Sequence, residues 1–216
     1  MTDTAPARLY LTTPPHFEPA AFAQDLSRLL ATVPVACVRL DLGGDTDEDA
    51  WRSAANHLMP VCHDADIALV ITEHYRLVRP LGLDGVHLRK GATPIRSVRK
   101  ELGDEAIVGA GAGTSRHVGM TLAEAGADYV SFGPVKAPGG LGDGETVETE
   151  VFQWWADVIE TPCIAEGGVG LDEIRDLAAI TDFVVPDIAL WSDPAGLIPT
   201  LQEMAAILEK NAVSDV

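Results

Sequence analysis

Glu166-Gly167-Gly168, within the run AEGGVGLDEI (165–174), sets a carboxylate directly before two glycines and those before a helix-like segment. Adjacent glycines let backbone N–H groups approach an anion closely, so Gly167 and Gly168 are candidates for holding a phosphate, with a tight turn into a helix as the plain alternative. Glu166 is of the type that serves as a general base or a metal ligand, or that caps and pairs. The run YVSFGPVKAPGG (129–140) brings Gly133 and then Lys136 to a surface. Lys136 is either a grip on an anionic group or an ordinary loop lysine. His117 follows Thr114 and Ser115 at the start of a helical pattern, where an imidazole can move a proton near neutral pH. Glu73-His74 and His87 offer a carboxylate and imidazoles of the kind that hold a divalent metal, although no fixed spacing motif joins them. His87, inside the apolar run GVHL, also reads as a hydrogen-bonded core histidine. Arg89 and Lys90 add two cations, and Asp187 after Pro186 adds a negative charge.

The elements that must position these residues alternate regularly. Strand-like runs occupy 7–13, 36–42, 67–72, 85–88, 107–113, 129–134, 162–168 and 182–190, and between them lie segments with apolar residues at helical spacing. Strand then helix, eight times, predicts one single-domain (β/α)8 barrel over 1–216 in the α/β class, with an open doubly wound sheet as the rival. In such a barrel, function sits where the strands end and the following loops begin. The candidates above are the residues found there, together with Thr12, Thr13 and Asp41. Gly109, Gly111 and Gly113 alternate along the fifth strand and leave room inside the barrel. They do not form the GxGxxG fingerprint of a dinucleotide site, because the third glycine falls at the wrong place.

Composition narrows the partners. A net charge of −18 repels nucleic acid and anionic membrane surfaces, and no local basic patch offsets it. No apolar run is long enough for a spanning helix, and the start MTDTAPARLY lacks a basic segment followed by an apolar one, so a cytoplasmic protein is expected. Cys37, Cys62 and Cys163, widely spaced and odd in number, read as buried thiols. Asp41, Glu73, Glu166 and Asp187, the acidic residues expected at the mouth, suit a cationic or amino-bearing heterocycle as the small-molecule partner.

DGVHL (84–88), GADYVSFGPV (126–135) and AEGGV (165–169), with the spacing between them, resemble thiamine phosphate synthase and its sister thiazole tautomerase group. The resemblance runs from the second strand to the last helix and implies the same (β/α)8 fold. It implies an enzyme of thiamine biosynthesis that joins hydroxymethylpyrimidine diphosphate to thiazole phosphate with Mg²⁺, releases pyrophosphate and forms a homodimer. On that basis Glu73 is a Mg²⁺ ligand, Gly167 and Gly168 hold the thiazole phosphate, and Arg89, Lys90 and Lys136 hold pyrophosphate. Several family positions carry other residues. Asp41 and Gly43 stand where the second strand ends in an Arg and a Lys, Ala92 where the second metal-binding Asp falls, and Leu141 where a phosphate-gripping lysine falls. The family's eighth-strand Ser falls on Pro186 or Asp187, and the tautomerase's histidine on Thr114, with His117 one turn later. Two further expectations follow: a proton-transfer enzyme using His117 or His74 with Glu166, or a non-catalytic ligand-binding relative.

Overall fold

The computed structural model describes residues 6–44, 47–89, 94–137 and 145–213. Strands β1 (Arg8–Thr12), β2 (Val35–Leu40), β3 (Ala68–Thr72), β4 (Gly85–Leu88), β5 (Ile107–Gly113), β6 (Tyr129–Phe132), β7 (Cys163–Val169) and β8 (Phe183–Pro186) form a closed barrel in sequence order. Every pairing is parallel, and β8 closes on β1 through Arg8 opposite Phe183 and Leu9 opposite Val184. Outside lie α1 (Pro19–Leu30), α2 (Glu48–Asp64), a short α3 (Val78–Leu81), α4 (Ile95–Leu102), α5 (Arg116–Glu124), α6 (Thr149–Val158), α7 (Leu171–Leu177) and α8 (Pro194–Val213). No helix among the described residues is long and apolar enough to cross a membrane.

Successive strand side chains point to opposite faces, and here that period-two rule sorts the core. Leu69 and Ile71 of β3, Val38 and Leu40 of β2, and Cys163 and Ala165 of β7 pack outward against the helices. Their neighbours Val70, Cys37 and Ile164 point inward with Tyr10, Tyr129 and Val185 and fill the barrel as an apolar layer. The glycine at 109 is what admits one of these rings: a Cβ there would stand 1.9 Å from Cζ of Tyr129. The room expected beside the glycines of β5 is thus occupied by Tyr129. Outside, Phe132 of β6 meets Trp155 and Phe152 of α6 with ring centroids 4.9 and 5.9 Å apart. All three cysteines are buried free thiols, as their spacing implied.

At the N-terminal end of the barrel one device recurs. Asp84, Asp128 and Asp182 each immediately precede an even-numbered strand. Their carboxylates accept the backbone N–H of Leu69, Val108 and Cys163, near the start of the preceding odd-numbered strand, at 2.7, 2.7 and 2.8 Å. The Asp of DGVHL and of GADYVSF therefore sits opposite the mouth and ties strand starts together, a place that reads as stability.

The eighth strand is shorter than the sequence pattern suggested. It stops at Pro186: the Asp187 N–H makes a last bond to the Val169 carbonyl of β7 at 2.9 Å, and the Asp187 carboxylate accepts the N–H of Ala189 at 2.8 Å and starts a 3₁₀ turn over Ile188–Ser192.

Candidate active site

One step along each inward-facing register from the apolar layer, the barrel turns polar. Arg39 follows Cys37 by two residues, Ser131 follows Tyr129 and Glu166 follows Ile164. All three are buried, Arg39 and Glu166 at 6 % exposure each. Arg39 Nη2 lies 2.6 Å from Glu166 Oε2, and Ser131 Oγ donates to Glu166 Oε1 at 2.6 Å. Burial alone would raise the Glu166 carboxyl, but the Arg39 charge, His87 and the Ser131 hydroxyl overcome it and bring its pKa down to about 2. Burial likewise works against the Arg39 charge, and Glu166 reverses that and raises its pKa. Glu166 is therefore a fixed carboxylate with its lone pairs engaged and a poor proton acceptor.

Beneath this layer, Tyr10 and Tyr129 share a hydrogen bond of 2.8 Å between their hydroxyls, and the Tyr129 hydroxyl also bonds His87 Nδ1 at 3.1 Å. His87 is the hydrogen-bonded core histidine its apolar run suggested: it is buried, and burial pushes its pKa down to about 3, so the ring is neutral.

Above the ion pair, a cavity of about 180 Å³ opens between the ends of β1, β2, β7 and β8. Its polar wall comes from Thr12, Arg39, Asp41, Glu166 and Asp187, with the backbone of Gly167 and Gly168. Two buried atoms of that wall, Arg39 Nε and Thr12 Oγ1, have no hydrogen-bond partner among the described residues. A larger groove of about 680 Å³ lies beside it, walled by Phe17, Phe22, Trp191 and Leu197. The charges on its edge, Asp25 and Arg28, are exposed and pair with each other, whereas the smaller cavity holds the buried charges and is the candidate site.

One rim of the mouth joins β2, β3 and β4. Asp41 takes Arg89 Nη2 on both carboxylate oxygens at 2.8 Å, the Gly43 N–H at 2.9 Å and the Thr72 hydroxyl at 3.2 Å. Burial opposes the Asp41 charge, but the Gly43 N–H and Arg89 outweigh it and hold the carboxyl below its usual range. Glu73, at φ +61°, turns its carboxylate onto the backbone N–H of Arg89. Among the described residues no three His, Cys, Asp or Glu side chains gather into a metal site, and Glu73 and Asp41 both face Arg89. His74 does not join them, because its ring lies 4.5 Å from that of Trp51. Lys90, Ala92 and Leu141 lie outside the described residues.

The other rim joins β6 and β7. Gly167 and Gly168 have φ of +85° and +80°, the left-handed region that glycine enters freely, and β7 bulges there against β8. The loop after β6 lies directly on them: Val135 N and Lys136 N donate to the Gly167 carbonyl at 2.8 and 3.0 Å, and a Cβ on Gly168 would stand 2.7 Å from the Lys136 carbonyl. Gly133 lies behind, against the backbone carbonyl of Glu166. Lys136 reaches along the outside to Glu173 at 2.7 Å, and that bond raises its pKa. Its side chain is exposed and does not line the cavity.

The structure thus brings Glu166, Gly167, Gly168 and Asp187 to one cavity and puts Arg89, Glu73 and Lys136 on its rims. Thr114, Ser115 and His117 fall elsewhere. Ser115 caps α5 by accepting the Val118 N–H at 3.3 Å, and His117 is exposed on the first turn of that helix. A proton relay from His117 to Glu166 therefore has no geometry behind it. Arg39 and Ser131 join the site although strand ends alone do not point to them, since both lie within their strands, on the inner face. The inward register, two residues beyond Cys37 and Tyr129, was the available signal.

Comparison with known proteins adds relatives to this geometry. A family model described as thiamine monophosphate synthase (TMP-TENI) matches residues 9–189. The thiamine-phosphate synthase of Rhodospirillum centenum is 39% identical over 197 residues, covering 91% of this chain and 93% of its own length. That of Hyphomonas neptunium is 33% identical over 221 residues, covering 98% and 100%. A solved structure, the thiamine phosphate pyrophosphorylase from Pyrococcus furiosus, is similar with a TM-score of 0.81 over 94% of this chain and 96% of its own, at 18% identity, which speaks for the fold alone.

Proposed function

The chain belongs to the thiamine monophosphate synthase family, and from that premise we propose that it joins hydroxymethylpyrimidine diphosphate to thiazole phosphate, forming thiamine phosphate and releasing pyrophosphate. The reading is carried by 39% identity to a thiamine-phosphate synthase over 91% of the chain. The cavity at the C-terminal mouth supports it, since that is where this fold keeps its chemistry.

In this reading the pyrimidine enters the cavity, where Asp41 and Asp187 provide acceptors for its amino group. Arg89 leaves Asp41 to meet the diphosphate. Lys136, expected with Arg89 on the pyrophosphate, stands instead against Gly167 and Gly168 on the opposite rim, and there it and the glycine backbone take the thiazole phosphate. The bond from the pyrimidine methylene carbon to the diphosphate oxygen breaks as that carbon bonds the thiazole nitrogen. Positive charge developing on the carbon meets the carboxylates of Asp41 and Asp187 in the cavity wall. Mg²⁺ suits this rim as an ion arriving with the diphosphate, since it is commonly held by one or two carboxylates plus substrate phosphates, and Glu73 would be that carboxylate here. When bound it would neutralise charge on the departing diphosphate.

The test is direct. Purified protein is mixed with both phosphorylated substrates and Mg²⁺, and thiamine phosphate is followed by chromatography. Product that scales with enzyme is expected, and none above background at high enzyme concentration overturns the reading.

A further inference from the structure

Arg39 is the one Lys or Arg among the described residues that line the cavity, against three carboxylates, Asp41, Glu166 and Asp187. Its charge is already paired through one end of the guanidinium, while Nε has no partner among the described residues. Nη2 lies 2.6 Å from Glu166 Oε2, while Ser131 fixes the other oxygen at 2.6 Å. The backbone of Glu166 is held as well. Its carbonyl accepts the Val135 N–H at 3.1 Å and lies so close to Gly133 that a Cβ there would stand 2.3 Å away. The carboxylate is thus fixed at both ends and has nowhere to retreat. An entering phosphate would compete with a tethered carboxylate, whose effective concentration is far above that of a free ligand. It would do so against the like charges of Asp41 and Asp187.

We infer that Glu166 sets the charge selectivity of the cavity: by neutralising Arg39 it makes the floor a seat for an uncharged or amino-bearing ring and excludes phosphate, which stays at the rims of Arg89 and Lys136. This deepens the synthase reading and rests on it only for the identity of the ring. Glu166 acts here through Arg39, as a specificity determinant rather than a group that touches the reacting atoms. A neutral side chain at 166 would leave Arg39 buried and uncompensated, and that charge would recruit an anion from solution.

The test is pyrophosphate binding without metal, by isothermal titration calorimetry, on wild type, Glu166→Gln and the double variant Arg39→Met/Glu166→Leu. Glu166→Gln is expected to bind pyrophosphate about tenfold tighter than wild type or better, the worth of one charge-assisted contact. The double variant is expected to match wild type, because Arg39 contributes nothing to anion binding while Glu166 holds it. Equal affinity in wild type and Glu166→Gln overturns the inference, and so does a clear loss of wild-type affinity in the double variant. Where Glu166→Gln fails to fold, the double variant, which removes both charges, decides the matter alone. No arm requires turnover, so a failure here is distinguishable from absence of synthase activity.

Discussion

Arg89 Nη2 stands 2.8 Å from both carboxylate oxygens of Asp41, and this bridge from the end of β4 to the end of β2 passes over Thr72 at the end of β3, whose hydroxyl joins the same carboxylate. Three strand ends are therefore tied by one side chain. Because the Arg89 side chain is about half exposed, the bridge is screened by water and can be exchanged for a ligand at modest cost.

Arg89→Ala is accordingly expected to raise KM for hydroxymethylpyrimidine diphosphate by about tenfold, the worth of one charge-assisted contact to a phosphate. The KM for thiazole phosphate should change little, since Arg89 stands on the opposite rim from Lys136. Steady-state kinetics with each substrate varied in turn checks this, and equal effects on both would contradict the assignment of rims.

Acid should destabilise the fold in two stages. The pKa of buried His87 is lowered from 6.5 to about 3, so the unfolded chain binds its proton first, and stability is lost as pH falls from about 6.5 towards 3. The pKa of Glu166 is lowered from 4.5 to about 2, so its contribution is complete above about 4.5 and is lost as pH falls through 2. His87→Asn, which cannot titrate, should flatten the fall in Tm between pH 6.5 and 4.5 and leave the steeper loss below. Calorimetric melts across that range read it directly.

Gly168→Ala should cost on the order of 1–3 kcal/mol through its positive φ and more through the Lys136 carbonyl, 2.7 Å from the new methyl. Gly126→Ala meets no atom within 4 Å and bears the conformational penalty alone at φ +100°. Urea melts of the pair separate strain from collision, and Gly168→Ala should also displace the loop carrying Lys136 and raise KM for thiazole phosphate.

His117→Ala should leave kcat within about twofold of wild type, since exposed positions away from a site rarely matter. A loss of a hundredfold or more would instead restore the proton-transfer reading, as general acid–base groups are worth about that much.

Asp128→Ala removes the acceptor of the Val108 N–H at 2.7 Å and of Arg99 at 2.6 Å, at the end of the barrel away from the mouth. A stability loss of about 1–3 kcal/mol is expected from the unsatisfied groups, with KM for both substrates unchanged. Kinetics at a temperature well below Tm tests the separation.

Much of this molecule was legible in the chain. The eight strand runs at regular spacing were sufficient for the barrel, because helices covering a parallel sheet demand apolar strands and because only a few topologies join such units. Glu166, Gly167, Gly168 and Asp187 could be placed at the mouth for the same reason: this fold exposes the ends of its strands. Asp41 could be placed there too. Arg39, two positions earlier, points the other way from Val38 and Leu40 and is hidden in a run that looks merely apolar.

What the sequence by itself determined was the periodicity, hence the barrel, the end that carries function and the family. What only the tertiary structure decided was which charges neutralise which. Arg39 and Glu166 are 127 positions apart and Asp41 and Arg89 are 48 apart, and local pattern carries no information about partners at that range. Coulomb interaction depends on separation in space and on burial, and both are set only when the barrel closes and brings β2 across to β7 and β4 to β2.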